Sequence, residues 1–212
     1  MHQFIELSAV VASAVYGVLL ARRHNLDFVG VFTLAFIVAF GGGTLRDLFL
    51  DRHPLFWIRE NHYPVIVFVI ALATSIVPRI PKRTESFLRI PDAFGLGLFT
   101  VSGTSAAIDA GTSLFIASLL GAVTGTFGSV IGDVICNRVP SLFRPAPLFA
   151  TCSFVGAWVY ILFYSIPVIR TSAAPISILF IVIFRLVAIR YKWILPHFGD
   201  EPPGDEANRT VI

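Results

Sequence analysis

Seven predominantly apolar runs divide this chain, at residues 3–21, 28–49, 63–78, 92–109, 113–135, 147–168 and 174–191. A helix needs about 20 such residues to cross a bilayer. Lipid offers no partner to an unpaired peptide group, so a spanning segment must satisfy its own backbone. Repeated seven times, this pattern indicates an all-α integral membrane protein with seven transmembrane helices. Composition agrees: the 212 residues are 56% hydrophobic and only 14% charged, and mean hydropathy is +0.80. Soluble domains of this size carry more charge.

The breaks carry loop punctuation, as in "RRHNLD" (22–27), "DRHPLFWIRENHYP" (51–64) and "NRVPSLFRPAP" (137–147). Residues 1–196 therefore read as a single transmembrane domain. Residues 197–212, "HFGDEPPGDEANRTVI", read as a polar, disordered cytoplasmic tail. The first run is not a signal peptide by its charge order, because no Lys or Arg precedes it and Arg22-Arg23 follow. Cys136 and Cys152 lie in or beside apolar runs without metal-like spacing and read as buried thiols. His2, His24, His53, His62 and His197 have no ligand spacing, so no metal site is assigned. A pI near 9.1 could point to nucleic acid in a soluble protein. Here the cations follow topology instead.

Seven spans put the two ends on opposite sides. One side then holds Arg22, Arg23, Arg79, Lys82, Arg83, Arg89, Arg138, Arg144, Arg190, Lys192 and Arg209. The other holds Arg52, Arg59 and Arg170. The positive-inside rule places the N-terminus outside and the C-terminus in the cytoplasm of a cell inner membrane. The basic clusters also suit anionic lipid head groups.

A shift of 86 residues lays "GGGTLRDLFLDRHP" (41–54) on "FGSVIGDVICNRVP" (127–140). Gly42 meets Gly128, Asp47 meets Asp133, Arg52 meets Arg138, Pro54 meets Pro140, and Gly17 meets Gly103. The chain reads as two three-helix units, about 3–78 and 92–168, with an unrepeated seventh helix at about 174–191. An odd number of spans per unit inverts the second copy in the membrane. Inverted repeats place a transport site near the midplane, between corresponding interrupted helices.

Gly41, Gly42 and Gly43 fall about 20 Å along the second span. Three glycines cost about 3 kcal/mol of helix propensity against alanine. Two readings stand. Small residues let backbones approach closely. Alternatively, the glycines also interrupt the helix and turn carbonyl oxygens toward a cation. The second copy offers Thr126, Phe127, Gly128 and Ser129, and the hydroxyls of Thr44, Thr126 and Ser129 would line such a route. Arg46, Asp47, Asp133 and Arg185 are charges within spans, costly there unless paired or hydrated. Each is read as structural or as part of the route, and Glu6 and Asp109 as interfacial. No nucleophile elbow, phosphate-binding loop or zinc-protease pattern is present, so an enzyme is not expected.

Together, "GGGTLRDLFLDRHPLFWIRENHY" and the second copy "TGTFGSVIGDVICNRVPSLFR", in a chain of seven spans, resemble the prokaryotic trimeric intracellular cation (TRIC) channels, a family also described as glycine transporters. The resemblance covers about residues 4–192. It implies a homotrimer with a pore in each protomer, lined by the second and fifth spans at their glycines and passing K⁺ or Na⁺, with no cofactor. The positions it carries over are Gly41, Gly42, Gly43, Arg46, Asp47, Gly128 and Asp133. Here Phe127, Ser129 and Gly132 stand where the family has two glycines and an arginine. A monovalent cation channel is thus the leading expectation. A secondary transporter of a small amino acid is the alternative, and a non-transporting scaffold the third class.

Overall fold

The computed structural model describes residues 2–76 and 85–196. Arg79, Lys82, Arg83, His197, Arg209 and the polar tail lie outside the described residues. Eight α-helices follow in order: α1 (His2–Arg23), α2 (Phe28–Phe49), α3 (Phe56–Arg59), α4 (His62–Ile76), α5 (Glu85–Asp109), α6 (Leu114–Ile135), α7 (Ala150–Tyr164) and α8 (Ala173–Tyr191). Seven are long, and α3 is a single turn in the loop after α2. A 3-10 turn, Arg170–Ser172, leads into α8.

Two boundaries differ from expectation. The fourth span begins at Glu85 rather than near 92, with Pro91 inside the helix in its second turn. The sixth span is shorter than 147–168. Pro145 and Pro147 keep the chain out of the helix before Ala150, and the helix stops ahead of Pro167.

Among the described residues, four segments are long and apolar enough to cross a membrane by themselves: Gln3–Arg23, Phe28–Phe49, Leu114–Ile135 and Arg170–Tyr191. α4 and α7 are apolar but shorter. α5 is long but carries Thr100, Ser102, Thr104 and Ser105, all buried. It packs against α1, α6, α7 and α8 at once. Being central, it keeps the hydroxyls of Thr100, Ser102 and Thr104 hydrogen-bonded inside the bundle. Thr104 Oγ1 donates to Thr100 O at 2.8 Å, and the Thr100 hydroxyl bonds that of Ser153 on α7.

The repeat is visible in the helix ends. Asp27 Oδ1 accepts from Gly30 N at the start of α2, and Ser113 Oγ accepts from Ile116 N at the start of α6. α2 ends through Asp51 at φ 50° and α6 through Asn137 at φ 53°. Arg52 N donates to Asp47 O at 2.8 Å, and Arg138 N to Asp133 O at 2.9 Å. These are matching Schellman caps, each placed 86 residues from its counterpart. One hydrophobic core binds α1, α2, α3 and α4, with Val18, Leu34, Phe40, Phe56 and Tyr63. A second binds α5, α7 and α8, with Leu96, Phe149, Tyr160 and Ile181.

α2 and α6 join the two units. A Cβ on Gly42 would collide with the carbonyl oxygen of Thr124, and one on Gly128 with that of Val38. Residue 42 plus 86 is 128, and 38 plus 86 is 124, so this is one contact made twice about a pseudo-two-fold axis. The direction of α6 opposes that of α2 as the inverted repeat requires.

Candidate functional site

Two buried clusters of charge lie toward opposite ends of the bundle, and the repeat relates them. In the first, Arg46 is 1% exposed. Its Nε donates to Asp47 Oδ1 at 2.9 Å. Its Nη1 donates to Glu6 Oε1 at 2.9 Å and to Ser102 Oγ at 3.0 Å. Its Nη2 lies 2.9 Å from Asp47 Oδ1. The guanidinium covers the Phe56 ring, 5.1 Å from its centre. Asp47 Oδ2 accepts from Phe56 N at 2.8 Å, tying the loop after α2 to the helix end.

In the second cluster, Arg185 is 8% exposed. Its Nη2 reaches Asp92 Oδ2 at 3.3 Å. Its Nη1 donates to Pro147 O at 2.9 Å and Leu148 O at 2.8 Å. The guanidinium lies over Phe149, 4.6 Å from the ring centre. Asp133 Oδ2 accepts from Ser141 N at 3.4 Å, again in the loop after the helix. Asp92 is the counterpart of Glu6, Asp133 of Asp47, and Tyr16 of Ser102 under the 86-residue shift. Arg46 corresponds to Gly132, where a Cβ would already meet Val38 Cγ2 at 2.7 Å. The guanidinium therefore comes from α8, outside the repeat. Each cluster holds two carboxylates and one arginine, an arrangement that suits buried charge only because each arginine is paired.

Three cavities are strung along α5. The largest, about 240 Å³, is lined by Tyr16, Asp92, Ser129, Asp133 and Arg185, with Arg23, Arg89, Arg138 and Arg144 toward the helix ends. A narrow one of about 20 Å³ continues it past Ser13, Tyr16, Asp92, Phe99, Thr124, Gly128 and Ser129. A third, about 50 Å³, lies near the other cluster between Ser102, Ser105, Tyr160, Tyr164 and Arg170. Phe99, 3% exposed, stands on α5 between Asp92 and Ser102. Hydroxyls and carboxylates in such a row can replace part of the hydration shell of a hard cation.

The residues expected to form the route divide between cavity walls and helix packing. α2 and α6 are α-helical throughout, so Gly41, Gly42 and Gly43 do not break the second span. They serve close packing: Gly42 against the α6 backbone, Gly43 under the Phe56 ring, and Gly41 beside Ile131 and Gly128. α2 and α6 approach backbone to backbone there, Gly42 against Thr124 and Gly128 against Val38. None of the three cavities is lined by Gly41, Gly42, Gly43, Thr44, Thr126 or Phe127. Thr44 Oγ1 accepts from Trp57 Nε1 at 3.0 Å, and Thr126 Oγ1 turns back to Ala122 O at 2.7 Å. Gly128 and Ser129 line the narrow cavity, and Asp133 and Arg185 the large one. Cys152 is buried, whereas Cys136 is half-buried, because it caps the end of α6. No group of His, Cys, Asp or Glu suited to a metal occurs among the described residues.

The family model described as "Glycine transporter" matches this chain twice, over residues 3–79 and 89–165. The chain belongs to this family. Its two matches stand 86 residues apart, the same shift that relates the two halves of the sequence. The chain is similar to the "UPF0126 inner membrane protein YadS" of Escherichia coli strain K12, with 32% identity covering 95% of this chain and 98% of that one. It is also similar to a UPF0126 membrane protein of Vibrio cholerae, with 33% identity covering 92% of this chain and 82% of that one. The fold matches a TRIC trimeric intracellular cation channel orthologue from Rhodobacter sphaeroides at a TM-score of 0.83, with 28% identity over 91% of this chain and 98% of that one. A second structure, solved for the basis of conductance through TRIC cation channels, gives a TM-score of 0.83 and 32% identity over 94% of this chain and 98% of that one. The resemblance to the TRIC channel and glycine transporter family therefore holds over nearly the whole chain.

Sequence reasoning passed over Asp92, Tyr16 and Ser102 and treated Glu6 as interfacial. The signal for them was the repeat itself. The shift that pairs Asp47 with Asp133 also lays Glu6 on Asp92.

Proposed function

We propose that this chain forms a passive channel for monovalent cations, K⁺ or Na⁺, in the cell inner membrane. It acts as a homotrimer with one path in each protomer, the N-terminus outside and the C-terminus in the cytoplasm. The path follows α5, between α1 and α6, through the cavities at Asp92 and Tyr16, past Phe99, to Ser102 and Ser105. The observation that carries the reading is the pair of buried clusters, each with two carboxylates to one guanidinium. With all these groups ionised, each cluster is net negative and favours a cation over an anion. Likeness to solved TRIC cation channels supports it. Phe99 is the apolar side chain along this path, lining the narrow cavity.

Purified protein in a planar bilayer under a KCl gradient should give single-channel currents that reverse toward the K⁺ equilibrium potential. Correctly assembled trimer that passes no current removes this reading. A transporter of a small amino acid is the second reading, favoured by the family's description and by a cavity of about 240 Å³ lined by both aspartate and arginine. Saturable uptake of labelled glycine into liposomes would select it.

A further inference from the structure

The two clusters are equivalent by the repeat, yet their arginines are held very differently. Every nitrogen of the Arg46 guanidinium meets a side-chain oxygen, on Glu6, Asp47 or Ser102. Arg46 also lines none of the three cavities. Arg185 makes one side-chain hydrogen bond, to Asp92 at 3.3 Å, and rests its other terminal nitrogen on the main-chain oxygens of Pro147 and Leu148. Its Nε is buried with no hydrogen-bond partner. An unpartnered buried donor is costly, and this one belongs to a side chain that lines the largest cavity. Arg185 also sits on α8, which has no counterpart in the repeat.

We propose that Asp92 is the carboxylate that selects cations on the arginine-rich side of the path, and that Arg185 is the removable plug covering it. The inference rests on the channel reading. When the guanidinium leaves Asp92, it keeps its hold on the Pro147 and Leu148 carbonyls and turns toward the open cavity. Asp92 then faces the hydroxyls of Tyr16, Ser13 and Ser129, which line the same space. A permeating cation takes the place of one positive charge with another, so the buried carboxylate is never left alone. The Arg46 cluster stays shut and acts as the fixed counterpart at the other end.

The test is single-channel recording of wild type, Asp92→Asn, Arg185→Gln and the double variant, each checked for trimer by size exclusion. Wild type should be cation-selective. Asp92→Asn should lower the K⁺ to Cl⁻ permeability ratio about tenfold, the scale of one unit charge removed within a few ångström of the ion. Arg185→Gln should raise the open fraction about tenfold, a shift of ~1.4 kcal/mol, with selectivity kept. Removing one partner of a buried pair can prevent assembly. The double variant removes both charges at once and should assemble with lowered selectivity. Unchanged selectivity in an assembled variant lacking Asp92, with wild type conducting, overturns the inference and leaves the channel reading intact. An unchanged open fraction in Arg185→Gln also overturns it. A wild-type trimer without current overturns both.

Discussion

Gly42 and Gly128 differ from Gly41 in what a methyl group would strike. At Gly42 and Gly128 it meets a main-chain carbonyl of the facing helix, which can move only if the whole helix moves. At Gly41 it meets Ile131 Cδ1 at 3.1 Å, the free end of a side chain. Gly42→Ala and Gly128→Ala should therefore each destabilise the fold by about 1–3 kcal/mol. Gly41→Ala should cost under about 1 kcal/mol. Denaturant titration of the detergent-solubilised protein would order the three, and a Gly41 variant as damaging as the others would contradict the packing account. Arg46 gives a second residue-scale expectation. Arg46→Ala strands Glu6 and Asp47 in the interior and should cost about 3–5 kcal/mol, read in the same titration. Charges within a span are legible in a sequence because they break its hydropathy. Their partners are not, because Glu6 and Ser102 lie 40 and 56 residues from Arg46 along the chain.

The helices are legible in the sequence, since apolar length is a local property, but two of their ends are not: the fourth span begins at Glu85 and the sixth covers only Ala150–Tyr164. Asp27 and Ser113 as caps, and Asp51 and Asn137 as left-handed exits, occupy equivalent loops in the two halves. The face each helix turns inward is less legible. A propensity argument treats glycine as a defect in its own helix, whereas here the gain lies in the neighbour's approach. Between α2 and α6 that gain keeps both helices whole. α5 shows the converse. Its hydroxyls lower its hydropathy, but they reflect a central position and not a weaker helix. The Thr100 and Ser153 hydroxyls link α5 to α7 inside the bundle. A double-mutant cycle with Thr100→Val and Ser153→Ala should give a coupling of about 0.6 kcal/mol, the common size for such bonds between membrane helices. A coupling indistinguishable from zero would mean the two hydroxyls do not hold these helices together.

At the scale of the molecule, the repeat is symmetric and the electrostatics are not. The large cavity opens among Arg23, Arg89, Arg138 and Arg144, with Asp92 and Asp133 deeper inside. The narrower cavity at the opposite end has Arg170 alone, stacked on Tyr164 at 4.1 Å from the ring centre. A cation approaching from the arginine-rich side meets a positive potential before it reaches a carboxylate. That potential lowers local cation concentration at the mouth, and its reach is set by the Debye length, about 30 Å at 0.01 M salt and 3 Å at 1 M. Neutralising Arg138 and Arg144 together should therefore raise cation conductance in dilute KCl, on the order of twofold, for current entering from that side. At 1 M KCl the variant and wild type should coincide. Arg170→Gln should act on current from the opposite side alone. Current–voltage curves in symmetric dilute and concentrated KCl would separate these cases. If the gain survives at 1 M, the arginines narrow the mouth by bulk and not by charge.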